Sequence, residues 1–157
     1  MAIKKLTSRK FWNDTGKEAK ARYRKFIFEQ GQSVYGGDWW GGKYSPQYEK
    51  AKNSGKILRS APAFANKVTP VLTSDLFKDF KKFIKVRNDG VQFGYATRGN
   101  IVKGMRDKKG KDGTLTSKDK PLPDSVRKYI TDEYHKHIKK NQKNQTRIHK
   151  KGRTRTK

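Results

Sequence analysis

Two groups of acidic residues have the types and spacing that a metal-dependent nuclease uses. Glu18, Ala19 and Lys20 follow the Glu-x-Lys order of some nuclease centres, and Asp75 and Asp79 lie one turn apart if their segment is helical. A nuclease centre needs carboxylates that converge on a metal ion, and the 14 acidic residues of this chain are widely scattered. The sequence therefore does not predict a nuclease.

Two other patterns fall short of a ligand site. The segment from Gly104 to Gly110 resembles a phosphate-binding loop, but five residues separate the glycines where four are required, and Asp112 replaces the magnesium-binding serine or threonine. His135 and His137 are two residues apart, so their rings point away from each other on a helix. We predict no metal site and no cofactor.

One acid–base pair is suggested near the end of the chain. Asp132 and Glu133 lie close to His135, but carboxylates on a basic helix usually form ion pairs, here with Lys128 and Lys136. No catalytic constellation remains, and the sequence predicts that the protein is not an enzyme.

The overall charge predicts a polyanionic partner. The chain has 157 residues, with 40 Lys and Arg against 14 Asp and Glu, and a net charge of +26. Such a chain repels itself unless nucleic acid or acidic neighbours lie close by. There is no cysteine, which excludes disulfides and thiolate metal sites. We expect neither a signal peptide nor a membrane span, since no apolar run reaches about 20 residues.

The positive charge is concentrated in the last nineteen residues, which contain no carboxylate. We predict that this run is disordered until it binds, and that it contacts phosphates. Its candidate nucleic-acid contacts are Lys139, Lys140, Lys143, Arg147, Lys150, Lys151, Arg153, Arg155 and Lys157.

Two adjacent tryptophans, Trp39 and Trp40, lie in a glycine-rich loop. Aromatic rings in a basic loop can stack on bases, but they equally anchor a protein interface or a core. The second interpretation is favoured. The other candidate anchors belong to an apolar segment with little positive charge, and they are Leu72, Leu76, Phe77 and Phe80.

Hydrophobic periodicity predicts the elements that carry these residues. A first helix should begin at Asp14 or Thr15 and end near Gly31, and a last helix should follow Pro123, with its apolar stripe ending at Ile138. A short helix is expected from Ser45 to Gly55, and residues 106–120 have the composition of an exposed loop.

A hairpin is predicted around Asn88-Asp89-Gly90, with its second strand starting at Val91. The first strand is ambiguous, because Leu76 and Phe80 also fit a helical period; a strand from about Asp79 to Arg87 is favoured. Together these elements predict an α+β fold, with a small antiparallel sheet packed against an N-terminal and a C-terminal helix and with basic flexible termini. We expect a basic arm at 1–12, one domain at 13–140 and a basic tail at 141–157.

The order of these segments resembles the neck or tail-completion proteins of tailed bacteriophages, over about residues 13 to 140. That family has a "YS-x-x-Y" segment, an "LT-G-x-L" turn, a strand ending in "Y-A" and a closing helix led by proline. The matching residues here are Tyr44, Ser45, Tyr48, Leu72, Thr73, Leu76, Tyr95, Ala96, Pro121, Leu122 and Pro123. Ser74 replaces the usual glycine of the turn.

The resemblance implies a structural virion protein, assembled in the host cytoplasm without enzymatic activity. Such a subunit forms a homo-oligomeric ring, contacts portal or adaptor and tail proteins, and surrounds the passage for packaged DNA. Within such a protein, the segment from Val71 to Phe80 is expected to pin the turn to the closing helix. A ribosomal protein that inserts basic arms into rRNA is the alternative that composition alone favours.

Overall fold

A computed structural model describes residues 7–44, 46–47, 50, 75–100, 102 and 110–153, with side chains for all of these except 40–41, 75 and 145–153. Three α-helices lie wholly within these ranges, namely α1 (Arg9–Arg24), α2 (Asp75–Lys82) and α3 (Asp124–Arg153). A hairpin of β1 (Phe83–Val86) and β2 (Val91–Gly94) follows α2 directly. The protein is thus an α+β protein, as predicted.

Helix α1 begins earlier than the sequence suggested. Ser8 is its N-cap, and the Ser8 hydroxyl accepts a hydrogen bond of 3.2 Å from the Phe11 N–H. The predicted start at Asp14 or Thr15 is wrong, because Thr15 is buried inside the helix, and Arg9 to Trp12 of the expected arm are helical. Packing of Phe11 and Trp12 on α3 stabilises the additional turn.

The end of α1 agrees with the prediction. A π-helical turn, Lys25–Glu29, continues the helix and turns both Ile27 and Phe28 into the core. Gly31 then adopts φ 64°, the left-handed conformation in which glycine commonly ends helices. The predicted stop near Gly31 is therefore confirmed.

The segment before the hairpin turn is divided between helix and strand. Residues 75–82 form α2 and residues 83–86 form β1, so the predicted strand from Asp79 is wrong over its first four residues. Leu76, Phe77 and Phe80 are buried together on one side of α2, which only the helical period achieves. The predicted turn is confirmed: Val86 pairs with Val91, and the Arg87 N–H donates to the Gly90 carbonyl at 2.8 Å.

Aromatic rings fill the core between α1, α2 and the hairpin. Phe80 stacks on Tyr23 with 4.9 Å between ring centroids, and Phe77 meets Phe28 edge-on at 5.4 Å. Phe80 also lies 5.4 Å from the Tyr95 ring. These contacts hold the apolar segment against α1 and the hairpin, whereas the sequence analysis expected the closing helix as its support.

Helix α3 packs antiparallel to α1. Val126 is fully buried near its start, the Arg22 guanidinium lies 4.2 Å from the Tyr129 ring centroid, and Phe11 lies 4.4 Å from the His137 ring centroid. The apolar stripe is confirmed, but the helix continues to Arg153. Residues 139–151 contain neither glycine nor proline, so nothing in their composition breaks the helix where the stripe ends.

Part of the predicted exposed loop is buried. Leu115 and Thr114 are fully inaccessible to solvent. The Tyr23 hydroxyl donates to the Leu115 carbonyl, and the Val34 N–H donates to the Thr114 carbonyl at 3.0 Å. Residues of α1 and of the glycine-rich loop therefore draw this segment into the core, against its polar composition.

Candidate nucleic-acid interface

The predicted cationic residues continue along one helix. Lys139, Lys140 and Lys143 are exposed on α3, and Lys136 precedes them at helical spacing. Arg147, Lys150, Lys151 and Arg153 lie on the helical backbone of α3, and their side chains are outside the described residues, as are Arg155 and Lys157 altogether. Seven of the nine predicted residues therefore lie along a helix, where an unfolded tail was predicted.

The last side chains of α3 that the structure describes are largely exposed. Asn141 is half-buried, whereas Gln142, Lys143 and Asn144 are exposed. From Asn141 to Arg153 the helix axis rises about 18 Å, at 1.5 Å per residue. The candidate cations of this stretch therefore follow one another along a single helical backbone.

The candidate anchors divide into core residues and residues that are not described. Trp39, Leu76, Phe77 and Phe80 are buried, and Trp39 is fully inaccessible. Its backbone N–H donates to the Gly31 carbonyl at 2.6 Å, which closes the glycine-rich loop onto the end of α1. Leu72 and the side chain of Trp40 lie outside the described residues. Trp39 is thus a core residue.

A second set of cations was missed in the sequence analysis. Lys78, Lys81 and Lys82 are exposed on α2, and Lys85 and Arg87 are exposed on β1 and just after it. We call these five residues the α2–β1 cationic surface. The spacing of the three α2 lysines could have identified them, but assigning this segment to a strand placed alternate residues on opposite faces.

The one acid within residues 76–88, Asp79, is directed away from that surface. Its buried carboxylate accepts hydrogen bonds from the Thr97 N–H at 3.0 Å, the Thr97 hydroxyl at 2.7 Å and the Arg98 N–H at 3.0 Å. Burial raises the pKa of Asp79, but the bonds from Thr97 and Arg98 outweigh it and lower the pKa below its usual value. The charge of Asp79 is therefore used inside the fold, where it anchors the loop that follows β2.

Lys20 fixes the junction between α2 and β1. Its ammonium donates to the Lys81 carbonyl at 2.8 Å and to the Phe83 carbonyl at 3.1 Å, and it lies 5.4 Å from the Phe80 ring centroid. Partial burial lowers the pKa of Lys20. A cation at the C-terminal end of a helix also interacts favourably with the helix dipole. Through these bonds, α1 determines the position from which the surface lysines project.

The residues considered for catalysis have other roles. The Glu18 carboxylate accepts from Arg22 at 2.8 Å and is half exposed. Of the ion pairs predicted with Lys128 and Lys136, the one between Glu133 and Lys136 is present at 2.7 Å, whereas Lys128 forms no ion pair with a described carboxylate. His137 packs on Phe11. In the ranges that the structure describes, no three His, Asp or Glu residues are grouped as metal ligands. None of the helices in these ranges has both the length and the apolar content needed to cross a bilayer.

A cavity of about 380 Å³ lies between α2, the hairpin and the start of α3. Its described lining includes the rings of Tyr23, Phe80, Phe93 and Tyr95 and the side chain of Leu122. Burial raises the pKa of Tyr23 and of Tyr95, whose hydroxyl oxygens are 3.4 Å apart. These phenols stay protonated at neutral pH, and five of the thirteen described residues that line the cavity are aromatic.

No protein-family model, curated protein or solved structure matches this chain.

Proposed function

We propose that the protein is a structural component of a tailed-bacteriophage virion. In this proposal it forms a ring in the neck or tail, joins the portal or adaptor to the tail, and surrounds the DNA passage. The observation that carries the proposal is the placement of charge: a small aromatic core supports two exposed cationic surfaces, one on α2 and β1 and one along α3.

The charge favours an assembly that contains a polyanion. A ring multiplies the net charge of +26 by its copy number, and the self-repulsion grows accordingly. A DNA duplex within the ring, or acidic rings on either side, supplies the compensating negative potential. A structural subunit that surrounds DNA fits this requirement.

The resemblance to the neck and tail-completion family also supports the proposal. Tyr95 and Ala96 directly follow β2, Pro123 directly precedes α3, and Leu76 is buried on α2. These four residues thus lie next to the ends of a strand and a helix or in the core.

A ribosomal protein is the second candidate, and one observation favours it. Helix α3 is 30 residues long, and Lys139, Lys140 and Lys143 are exposed on it. A long helix with exposed lysines also suits insertion between rRNA helices, whose phosphates attract Lys and Arg.

Localisation in purified particles tests the proposal. Cryo-electron microscopy and cross-linking of phage particles should place the protein in a ring at the head–tail junction, with cross-links to portal or tail subunits. Particles made without it should separate into filled heads and free tails. Leu76→Asp should fail to restore joining, whereas Leu76→Met, which keeps the core volume, should restore it. Recovery with ribosomal subunits, in amounts stoichiometric with rRNA, contradicts the proposal and supports the second candidate.

A further inference from the structure

We propose that the α2–β1 cationic surface binds the phosphate backbone of duplex DNA without reading its base sequence. The choice of DNA as the source of the phosphates rests on the proposed function; the binding surface itself is argued from its residues.

Between Lys78 and Arg87 no acidic residue faces solvent, and the next acid along the chain is the exposed Asp89 of the hairpin turn. Lys78, Lys81 and Lys82 lie on the side of α2 opposite to the buried Leu76 and Phe80. Lys85 and Arg87 extend the run, and the carboxylate of Asp79 is bound inside the fold. None of the five surface cations forms an ion pair with a described carboxylate. Their charge is available to an external anion.

The backbone below the surface is held in place, which lowers the entropy cost of binding. Phe77 and Phe80 fix α2 in the core, and Lys20 is bonded to the carbonyls at the α2–β1 junction. The Lys81 ammonium is itself positioned, since it lies 4.5 Å from the Phe77 ring centroid. The cations therefore project from a preformed support.

The spacing suits a duplex backbone. Lys78 and Lys82 are about one helical turn apart, a rise of about 6 Å. Lys85 and Arg87 are two positions apart in extended backbone, a rise of about 7 Å. A DNA duplex carries one phosphate per about 3.4 Å along each strand, so neighbouring cations of the surface can meet different phosphates.

The chemistry of the surface favours backbone contact over base contact. Four of its five cations are lysines, which act as point charges towards phosphate rather than as bidentate readers of a base edge. The rings of Phe77, Phe80 and Phe83 are buried or half-buried in the same segment, so none is exposed for stacking on single-stranded bases. Both features point to duplex recognition independent of sequence.

A purely structural role accounts for only part of the surface. Lys81 and Lys82 lie in the last turn of α2, where cations stabilise a helix through its dipole. Lys78 is one turn earlier, and Lys85 and Arg87 are beyond the helix. The helix dipole therefore does not explain the whole set.

Charge-neutral substitutions in the full chain test the inference. Lys78→Gln, Lys82→Gln and Lys85→Gln are combined in one variant, which leaves Lys81 over its ring. Binding to a fluorescent DNA duplex of about 30 base pairs is measured between about 50 and 200 mM salt. Three lost phosphate contacts should flatten the slope of log K against log salt by about 2.7, so over this range the affinity of the parent should fall about 40-fold more than that of the variant.

Two matched variants distinguish the surface from general charge. Lys17→Gln, Lys118→Gln and Lys128→Gln remove three exposed lysines elsewhere and should leave the slope close to that of the parent. Lys78→Arg, Lys82→Arg and Lys85→Arg combined should preserve the slope, because the charge at each position is kept. The proposal is overturned if the slope of log K against log salt flattens equally in the two glutamine variants. It is also overturned if the variant at 78, 82 and 85 keeps the slope of the parent.

Competitors identify the partner. Equal affinity for DNA duplexes of unrelated sequence supports backbone contact, whereas displacement of DNA by polyglutamate at equal charge concentration overturns it. An RNA duplex bound more than about ten-fold tighter overturns the assignment to DNA. If the protein forms a ring at the head–tail junction but the glutamine variant of 78, 82 and 85 binds DNA like the parent, this inference is rejected and the proposed function stands. If the variant loses DNA binding but the protein is absent from the junction, the proposed function is rejected and this inference stands.

Discussion

Asp79→Asn should destabilise the fold, because it removes the charge that holds the loop after β2 against α2. Hydrogen bonds to a charged acceptor contribute about 1.5–3 kcal/mol each, and an amide at this position also directs a donor group at the Thr97 and Arg98 N–H groups. Water can replace part of the loss, since Thr97 and Arg98 are exposed. We expect the free energy of unfolding to fall by about 2–4 kcal/mol at neutral pH.

The pH dependence gives this prediction a second test. The pKa of Asp79 is lower in the folded chain than in the unfolded chain, so its stabilisation is complete at neutral pH and is lost as the pH falls through the folded pKa. The difference between parent and variant should therefore shrink below about pH 4.

Urea unfolding, followed by tryptophan fluorescence and circular dichroism, measures both effects. With an m-value of about 2 kcal/mol/M, a loss of about 3 kcal/mol lowers the midpoint by about 1.5 M. Asp132→Asn makes the same change in charge at an exposed position of α3 and should alter stability by less than about 0.5 kcal/mol. A parent-like midpoint for Asp79→Asn at neutral pH, or a difference that persists undiminished at about pH 2.5, refutes the reasoning.

Three further changes test the packing and the charge of other elements. Gly16→Ala should cost about 1–2 kcal/mol, although alanine favours helices, because a Cβ there lies 2.4 Å from Cγ2 of Val91. Urea unfolding should show that adding Val91→Ala to Gly16→Ala recovers part of the lost stability. If Gly16→Ala alone is more stable than the parent, the packing of α1 on β2 is contradicted. Leu76→Asp should prevent folding, because the side chain is only 7% exposed and a carboxylate there has no partner. A variant with the circular dichroism spectrum and the melting temperature of the parent would show that the core lies elsewhere. Deletion of 145–157 removes six cations, so the slope of log K against log salt for duplex binding should flatten by up to about 5. The melting temperature should shift by less than about 3 °C. An unchanged slope for this truncation excludes phosphate contacts by that segment.

Local signals account for the elements that the sequence predicted correctly. Asn88-Asp89-Gly90 encodes the hairpin turn in its own backbone preferences, and the stripe from Val126 to Ile138 repeats at the helical period. The glycine that ends the first helix, Gly31, is likewise a signal read within a few residues. These predictions needed no knowledge of distant parts of the chain.

The missed features depend on residues far apart in the sequence. Leu76 and Phe80 fit both a helix and a strand, and the choice is made by hydrogen bonds of Asp79 to Thr97 and of Lys20 to the α2–β1 junction. Leu115 is buried because Tyr23 binds its carbonyl. Such contacts cannot be inferred from periodicity. The α2–β1 cationic surface went unrecognised because a strand was predicted where α2 lies, and a strand places neighbouring lysines on opposite faces.

The pairing of α1 with α3 bears on the order in which the chain can fold during synthesis. The Phe11 ring packs on the His137 ring, and the Arg22 guanidinium packs on the Tyr129 ring. In each pair the second residue lies more than a hundred positions later in the chain. A nascent chain therefore carries its first helix without this neighbour until translation is nearly finished. Interrupted translation products should be prone to aggregation or to capture by chaperones, since they expose both aromatic rings and uncompensated lysines.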